Sequence, residues 1–261
     1  MVIDKPQSYK FGVKPILFGV KPIPFGVKIC SGSTEVKEMA RKVWQDVYVV
    51  GGPDISDMLD CCVYLIDVAD GDELVLIDAG AGRSFRTLVR NIEHLGFSVS
   101  ALSHVVATHA HIDHIGALAR FRELGAKIVA HELDAAAIES GEGIGAEFYG
   151  VPYEPCPVDV KMSGDALELK FRKHTLKIIH IPGHTPGSVA VLADIAGRRV
   201  LFGQDIHGPY MEALGSDTRL ARRSLEKLLA LNADILCEGH FGIYQPASAV
   251  RRYIEGYLRR L

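Results

Sequence analysis

Thr108-His109-Ala110-His111-Ile112-Asp113-His114 is the stretch of sequence that decides the fold. Three histidines and one aspartate fall within six residues, directly after an apolar segment that predicts a strand. Side chains two positions apart on an extended segment point to the same side, so His109 and His111 can bind one ion together. Asp113 and His114 follow at the turn into a predicted helix and can face a second ion. Imidazole with carboxylate suits Zn²⁺, Fe²⁺ or Mn²⁺ rather than Ca²⁺.

Three later segments share this arrangement, because each is a predicted strand that ends beside a candidate ligand. The segments over 178–181, 200–202 and 235–238 are followed by the candidate ligands His184, Asp205 and His240. A glycine near each of these residues permits close approach of the backbone to a bound ion. Their shared position at strand ends predicts that they meet the first four side chains in one site.

Strand and helix patterns alternate along the chain from Trp44 onward. β-branched runs between Gly and Asp turns predict strands, and apolar residues at helical spacing predict helices. The first half has predicted strands at 47–50, 61–66, 74–77, 105–108 and 128–130 and helices at 84–95, 114–124 and 132–139. A Gly- and Pro-rich loop over 141–157 precedes the second half, with strands at 166–169, 176–181, 188–193, 199–202 and 235–237 and helices at 218–231 and 247–261. This order predicts an α/β fold in which two sheets pack face to face with helices outside.

The motif His109-x-His111-x-Asp113-His114, followed in order by His184, Asp205 and His240, resembles the metallo-β-lactamase-fold superfamily over about residues 44–258. The resemblance implies a four-layer αββα sandwich with a pair of metal ions at one sheet edge. It assigns the seven residues to two divalent ions, with Zn expected and Fe or Mn as alternatives: the first ion held by His109, His111 and His184, the second by Asp113, His114 and His240, and Asp205 bridging both.

The turn Leu76-Ile77-Asp78-Ala79-Gly80 is similar to an Asp turn of the same superfamily. It implies that Asp78 hydrogen-bonds one of the ligand histidines and fixes its ring.

The chemistry that this resemblance implies is hydrolysis. Two cations about 3.5–4 Å apart share a water and lower its pKa to near 7, so no Ser or Cys nucleophile is needed. Asp113 orients the resulting nucleophile as well as binding an ion. His207 and Tyr210 follow Asp205 closely and are candidates for a proton donor or an oxyanion partner. The loop over 141–157 supplies a candidate apolar wall for the substrate through its aromatic residues Phe148, Tyr149 and Tyr153.

Comparison with the known activities of the superfamily narrows the range of reactions that this chain is expected to catalyse. The best-known antibiotic-hydrolysing members have Cys where this chain has Asp205, which disfavours a β-lactamase. Only 34 residues separate Asp205 from His240, too few for a nuclease insertion, and 21 residues follow His240, too few for a glutathione-binding helical domain. Quorum-quenching lactonases have Tyr three positions after the bridging Asp, where this chain has Gly208.

Three hypotheses of function remain. The leading one is a dinuclear metallohydrolase of small esters, that is a lactone, thioester or phosphodiester. The second is an oxidoreductase similar to the persulfide dioxygenases, which use one Fe²⁺ with open positions for oxygen. The third is a non-catalytic binding protein in which the metals only stabilise the fold.

Composition restricts the partners and the location. The chain has 261 residues, 48% hydrophobic and 23% charged, with a formal net charge of −3. This balance argues against a nucleic-acid partner, and no apolar run reaches the roughly 20 residues that cross a membrane. Without a recognisable secretory signal, and with five cysteines forming no CxxC pair, we expect a cytoplasmic protein that acts on a small molecule.

Residues 1–43 differ from the rest and predict an extended N-terminal arm before a catalytic domain over 44–261. Phe11-Gly12-Val13-Lys14-Pro15 recurs at 18–22 and, without the proline, at 25–28. A Gly and a Pro in nearly every unit exclude a continuous helix. An arm of this kind is compatible with a homodimer.

Overall fold

The computed structural model describes residues 39–261, so the predicted repeat at 11–28 lies outside the described residues. Within that part of the chain, seven strands form a first sheet in sequential order. They are β1 Arg41–Trp44, β2 Val47–Gly51, β3 Val63–Asp67, β4 Leu74–Ile77, β5 Leu102–Val106, β6 Lys127–His131 and β7 Val160–Met162. The strands from β1 to β4 pair with their neighbours in antiparallel orientation, and those from β4 to β7 pair in parallel.

The remaining six strands of residues 39–261 form the second sheet in the order β13-β12-β11-β10-β9-β8. One neighbouring pair, β11 with β12, is parallel. The strands are β8 Ala166–Lys170, β9 Thr175–His180, β10 Val189–Ile195, β11 Arg198–Gln204, β12 Ile235–Glu238 and β13 Ile243–Tyr244.

The α-helices of the described region connect and flank these strands. They are α1 Phe85–His94, α2 Ile112–Ile115, α3 Leu118–Glu123, α4 Glu132–Ser140, α5 Ala146–Tyr149, α6 Thr218–Ala230 and α7 Ala247–Leu258. Helix α6 begins at a capping residue, since Asp217 accepts hydrogen bonds from the backbone N–H groups of Arg219 and Leu220. Within residues 39–261, no helix combines the length and the apolar character needed to cross a bilayer.

The two-residue alternation of the strands separates three apolar layers. In β4, Leu74 and Leu76 belong to the cluster that also contains α1 and α3, while Val75 and Ile77 face the second sheet. In β11, Val200 and Phe202 join that central layer. Leu201 points the other way and packs with residues of α6 and α7. The layers therefore run helix, sheet, sheet, helix, and the predicted αββα sandwich is confirmed.

Several predicted boundaries are wrong for identifiable reasons. The strand predicted over 61–66 begins at Val63, because the N–H groups of Cys61 and Cys62 donate instead to the carbonyls of Asp113 and Gly239. The predicted helix over 114–124 is two helices, α2 and α3, and the predicted loop over 141–157 contains α5. The short strands β1, β7 and β13 were not predicted.

Gly116 sits at the break between α2 and α3, where its backbone passes directly over the turn that follows β4. Its N–H donates to Gly80 O at 2.7 Å, and a Cβ there would overlap the backbone of Ala81. We expect Gly116→Ala to lower the free energy of unfolding by about 1–3 kcal/mol, measured by urea denaturation. The matched control is Gly256→Ala in α7, where a Cβ meets nothing within 4 Å. It should instead stabilise by up to about 1 kcal/mol. Equal effects at both positions would contradict the packing argument.

Candidate metal centre

All seven predicted ligands lie at one end of the two sheets. His109 and His111 lie between β5 and α2, and Asp113 and His114 lie in α2 itself. The other three follow strands of the second sheet: His184 after β9, Asp205 after β11 and His240 after β12. The strand ends bring together residues that are up to 131 positions apart in the chain.

Three histidines form the first cluster. His111 Nδ1 lies 3.0 Å from His109 Nε2 and 2.9 Å from His184 Nε2. The three rings are nearly perpendicular to one another, with interplanar angles of 81–86°. The nitrogens of three separate rings thus point at one small volume, the arrangement that a single ion requires.

A second cluster consists of Asp113, His114 and His240. His240 Nε2 lies 3.2 Å from Asp113 Oδ2 and 3.3 Å from His114 Nε2. His114 Nε2 is 3.6 Å from the same Asp113 oxygen. Both ligands in α2 are buried, and the His240 side chain is about one quarter exposed.

Asp205 lies between the two clusters and touches both. Its Oδ2 is 3.6 Å from His184 Nε2 in the first cluster and 3.2 Å from His240 Nε2 in the second. Its Oδ1 is 3.3 Å from His114 Nε2. The glycine that precedes His240 permits this approach, because a Cβ at Gly239 would overlap Asp205 Oδ1.

Burial keeps the first cluster neutral. Desolvation lowers the pKa of His109 and His111 below the ordinary value for histidine, and lowers the pKa of His184 to about 3. A neutral imidazole keeps the lone pair that a metal ion needs.

The second cluster is more strongly charged. Burial opposes the protonation of His240, but the charges and hydrogen bonds of Asp205 and Asp113 raise its pKa well above the ordinary value. Burial also opposes ionisation of Asp113, yet the charges of His114 and His240 lower its pKa to about 2. Burial likewise opposes ionisation of Asp205, but the charges of His240 and His114 lower its pKa well below the ordinary value. Both aspartates are therefore carboxylates at neutral pH, ready to accept a cation.

These residues fit a metal pair on grounds that the structure itself supplies. Within residues 39–261, the buried atom Asp205 Oδ1, which lies between the two clusters, has no hydrogen-bond partner. Five imidazoles and two carboxylates around one volume are the donor set of Zn²⁺, Fe²⁺ or Mn²⁺. Unpaired buried acceptors cost free energy, and a cation between the clusters would satisfy Asp205.

Asp78 lies where the resemblance implied. Its Oδ2 is 2.8 Å from His114 Nδ1, and it accepts hydrogen bonds from Thr108 N–H and Oγ1 at 2.8 Å each. Asp78 has a φ of +62°, a left-handed conformation that turns the chain sharply at the end of β4. This carboxylate fixes the tautomer of His114 so that Nε2 faces the cluster.

His207 lies beside the second cluster and has a partner that the sequence analysis missed. Its Nδ1 is 2.7 Å from Oε1 of Glu238, a fully buried carboxylate at the end of β12. The other oxygen of Glu238 accepts the N–H groups of His240 and Phe241 at 2.7 and 2.8 Å. Although burial opposes it, the charge of Glu238 raises the pKa of His207. A glutamate two positions before a candidate ligand at a strand end was the available signal.

The aromatic residues that were predicted to contact the substrate have different surroundings in the structure. The hydroxyl of Tyr210 donates to Ile206 O at 3.0 Å within its own loop, and its ring lies 6.2 Å from that of His184. Burial and the charge of Asp113 raise the pKa of the Tyr149 hydroxyl, while Phe148 beside it is 67% exposed. Tyr153 donates to Ile138 O at 2.9 Å, so its hydroxyl is committed to α4 rather than to the clusters.

Comparison with known proteins now bears on this geometry. The family model described as the metallo-beta-lactamase superfamily matches residues 57–240, which include all seven clustered residues. The chain belongs to the metallo-beta-lactamase superfamily. Superfamily membership confirms the predicted family and the prediction of an enzyme with a metallohydrolase fold.

Relatives within the superfamily are named as hydrolases. The chain is similar to the probable metallo-hydrolase YflN of Bacillus subtilis, with 27% identity over 223 residues that cover 68% of this chain and 79% of YflN. It is 29% identical over 198 residues to the hydroxyacylglutathione hydrolase GloC of Haemophilus influenzae, covering 70% of this chain and 86% of GloC. A metallo-beta-lactamase structure from Cronobacter sakazakii shares the superfamily fold, with a TM-score of 0.72 and 23% identity, covering 85% of this chain and 95% of that one.

Proposed function

We propose that this enzyme is a dinuclear metal-dependent hydrolase of small esters: lactones, thioesters or phosphodiesters. The observation that carries the proposal is the position of Asp205, whose carboxylate contacts His184 of one cluster and both histidines of the other. A carboxylate shared by two clusters in this way can bind an ion in each of them. His109, His111 and His184 would hold the first ion, and Asp113, His114 and His240 the second.

The bound ions, with zinc as the expected pair, would act as Lewis acids on the substrate and lower the pKa of a water. The chain's own residues supply the positioning. Asp113 lies beside His114 and His240 and can accept a hydrogen bond from the attacking group. Asp78 keeps His114 oriented, and the partly exposed edge of His240 marks the side from which substrate approaches.

His207 is the residue that we propose as a polar contact to the substrate. Glu238 binds its Nδ1 and favours the protonated ring, which leaves Nε2 free to donate to the leaving group or to an oxyanion. The exposed aromatic ring of Phe241 lies 4.6 Å from that of His207 and supplies apolar surface beside this polar group. Phe148 and Tyr149 stay the predicted apolar wall of the substrate site. This combination suits a small ester with an apolar portion.

We expect His207→Ala to lower kcat/KM by about 10²-fold or more, measured on the best substrate of an ester panel. Removal of this ring removes a donor to the substrate but no predicted metal ligand, so metal content should not change. The control is His94→Ala, which removes an exposed histidine at the end of α1. An unchanged kcat/KM in the His207 variant would exclude this role.

The experiment that tests the proposal is a panel of lactones, thioesters and phosphodiesters assayed with the zinc-loaded and the iron-loaded protein. Turnover of any of these classes by the zinc form supports the hydrolase. Thiol-dependent oxygen uptake by a form with one iron, without ester turnover, would favour the persulfide dioxygenase hypothesis instead. No turnover of any kind by a fully loaded protein would favour the non-catalytic binding protein.

Within the ester classes, one comparison bears on thioesters. The likeness to GloC supports a thioester substrate. We therefore propose thioester hydrolysis, on a small-molecule substrate in the cytoplasm. A homodimer stays a prediction.

A further inference from the structure

Asp134, in the first turn of α4, is a buried carboxylate that no motif singled out. It is 3% exposed, although aspartate is among the residues that are rarely buried without a partner. Within residues 39–261, its side-chain contacts are hydrogen bonds to uncharged groups rather than ion pairs. Its charge is therefore held by hydrogen bonds.

The hydrogen bonds of Asp134 join the two segments that supply the three-histidine cluster. Oδ2 accepts the N–H of Ala110 at 2.9 Å and the hydroxyl of Thr185 at 2.6 Å, and Oδ1 accepts the N–H of Gly187 at 2.7 Å. Ala110 lies between His109 and His111, and Thr185 directly follows His184. One carboxylate thus links the segment that carries His109 and His111 to the segment that carries His184.

The surroundings leave Asp134 little freedom to move. A Cβ at Gly187 would lie 2.5 Å from Asp134 Oδ1, so glycine is needed for this approach. Ser188 Oγ lies 2.8 Å from Thr185 Oγ1 and accepts a hydrogen bond from the Thr185 N–H at 2.9 Å. These contacts hold in place the Thr185 hydroxyl that donates to Asp134. Because the acceptor and its donors are all held, the spacing between the two segments is set by this contact.

We propose that Asp134 is a positioning residue that holds His109 and His111 against His184 and so sets the metal affinity of the three-histidine cluster. The inference rests on the proposed metal-dependent function. Asp78 has the corresponding task in the second cluster, but by a different route: Asp78 binds the ring of His114, whereas Asp134 binds the backbone and hydroxyl groups beside its ligands. The buried negative charge of Asp134 also favours a cation nearby.

The test measures zinc dissociation constants by chelator competition in two backgrounds that each keep one cluster. In His240→Ala, which keeps the three-histidine cluster, we expect Asp134→Asn to weaken zinc binding by about 10–100-fold. In His184→Ala, which keeps the second cluster, the same change should alter the dissociation constant much less, because none of the three groups that Asp134 accepts hydrogen bonds from belongs to a ligand of that cluster. The matched control is Asp67→Asn, another buried carboxylate that accepts two backbone N–H groups, at the far end of β3.

A second pair of variants keeps the proposal testable if Asp134→Asn does not fold. Thr185→Ser keeps the hydroxyl and should retain the wild-type dissociation constant, whereas Thr185→Val removes one of the three hydrogen bonds and should raise it. Equal loss in both backgrounds, or the same affinity for Thr185→Val as for Thr185→Ser, would overturn the proposal. Failure of the wild-type chain to bind zinc would instead overturn the proposed function.

Discussion

Replacement of His111 by alanine is expected to lower kcat about a thousandfold or more. His111 Nδ1 lies within 3.0 Å of both other nitrogens of the first cluster, so no neighbouring side chain can take its place. A catalytic metal ion contributes several kcal/mol to the transition state, and about 4 kcal/mol corresponds to about 10³-fold in rate. The measurement is steady-state kinetics on the best ester of the panel, together with zinc content.

The fold should survive this change, because the side chain lies at a strand end and not in the apolar layers. His104→Ala is a matched control, since His104 lies in β5 of the same segment but contacts Ser103 and Phe171 away from the clusters. Wild-type kcat in the His111 variant, with a full complement of metal, would show that the first cluster has no part in catalysis.

Removal of metal by a chelator should lower the melting temperature by about 8–16 °C. An ion present at about 1,000 times its dissociation constant stabilises the native state by about 4 kcal/mol, and each kcal/mol shifts the melting temperature by about 2–4 °C for a domain of this size. The structural reason is that the ligand atoms of both clusters converge around the buried Asp205 Oδ1, which lacks a hydrogen-bond partner within the described residues. Differential scanning calorimetry before and after chelation measures the shift.

Zinc added back should restore both the melting temperature and the activity. A control with Mg²⁺ in place of zinc should restore neither, because Mg²⁺ prefers an octahedral shell of oxygen ligands. An unchanged melting temperature in protein from which all metal has been removed would contradict the account of the two clusters.

Much of the fold was predictable because strand alternation and strand-end chemistry are local. β4 has an apolar layer on each face, and the run of four apolar residues Leu74–Ile77 predicts a strand that is buried on both faces. The predicted boundaries that are wrong depend on contacts between residues far apart in the sequence. Helix α2 ends early because Gly116 packs against the Ala81 backbone. Cys61 and Cys62 leave the sheet because their N–H groups bond to α2 and to the loop after β12, which both carry ligands. Contacts of this kind have no signature in the sequence near them.

Some residues of the candidate site could likewise be predicted from the sequence, and others could not. The seven clustered residues were predictable because each is a ligand type at the end of an apolar run. Asp134 was not, because an aspartate in the first turn of a helix is ordinary in sequence, and only the packing of α4 brings it to both histidine-bearing segments. Glu238 was missed because it ends an apolar strand, and only the fold shows that its carboxylate faces His207.

The most direct test of the central claim is anomalous diffraction at the zinc edge from crystals of the zinc-loaded protein. Two peaks, one among His109, His111 and His184 and the other among Asp113, His114 and His240, are expected about 3.5–4 Å apart with Asp205 between them. A single peak, or zinc bound elsewhere on the chain, would contradict the dinuclear account.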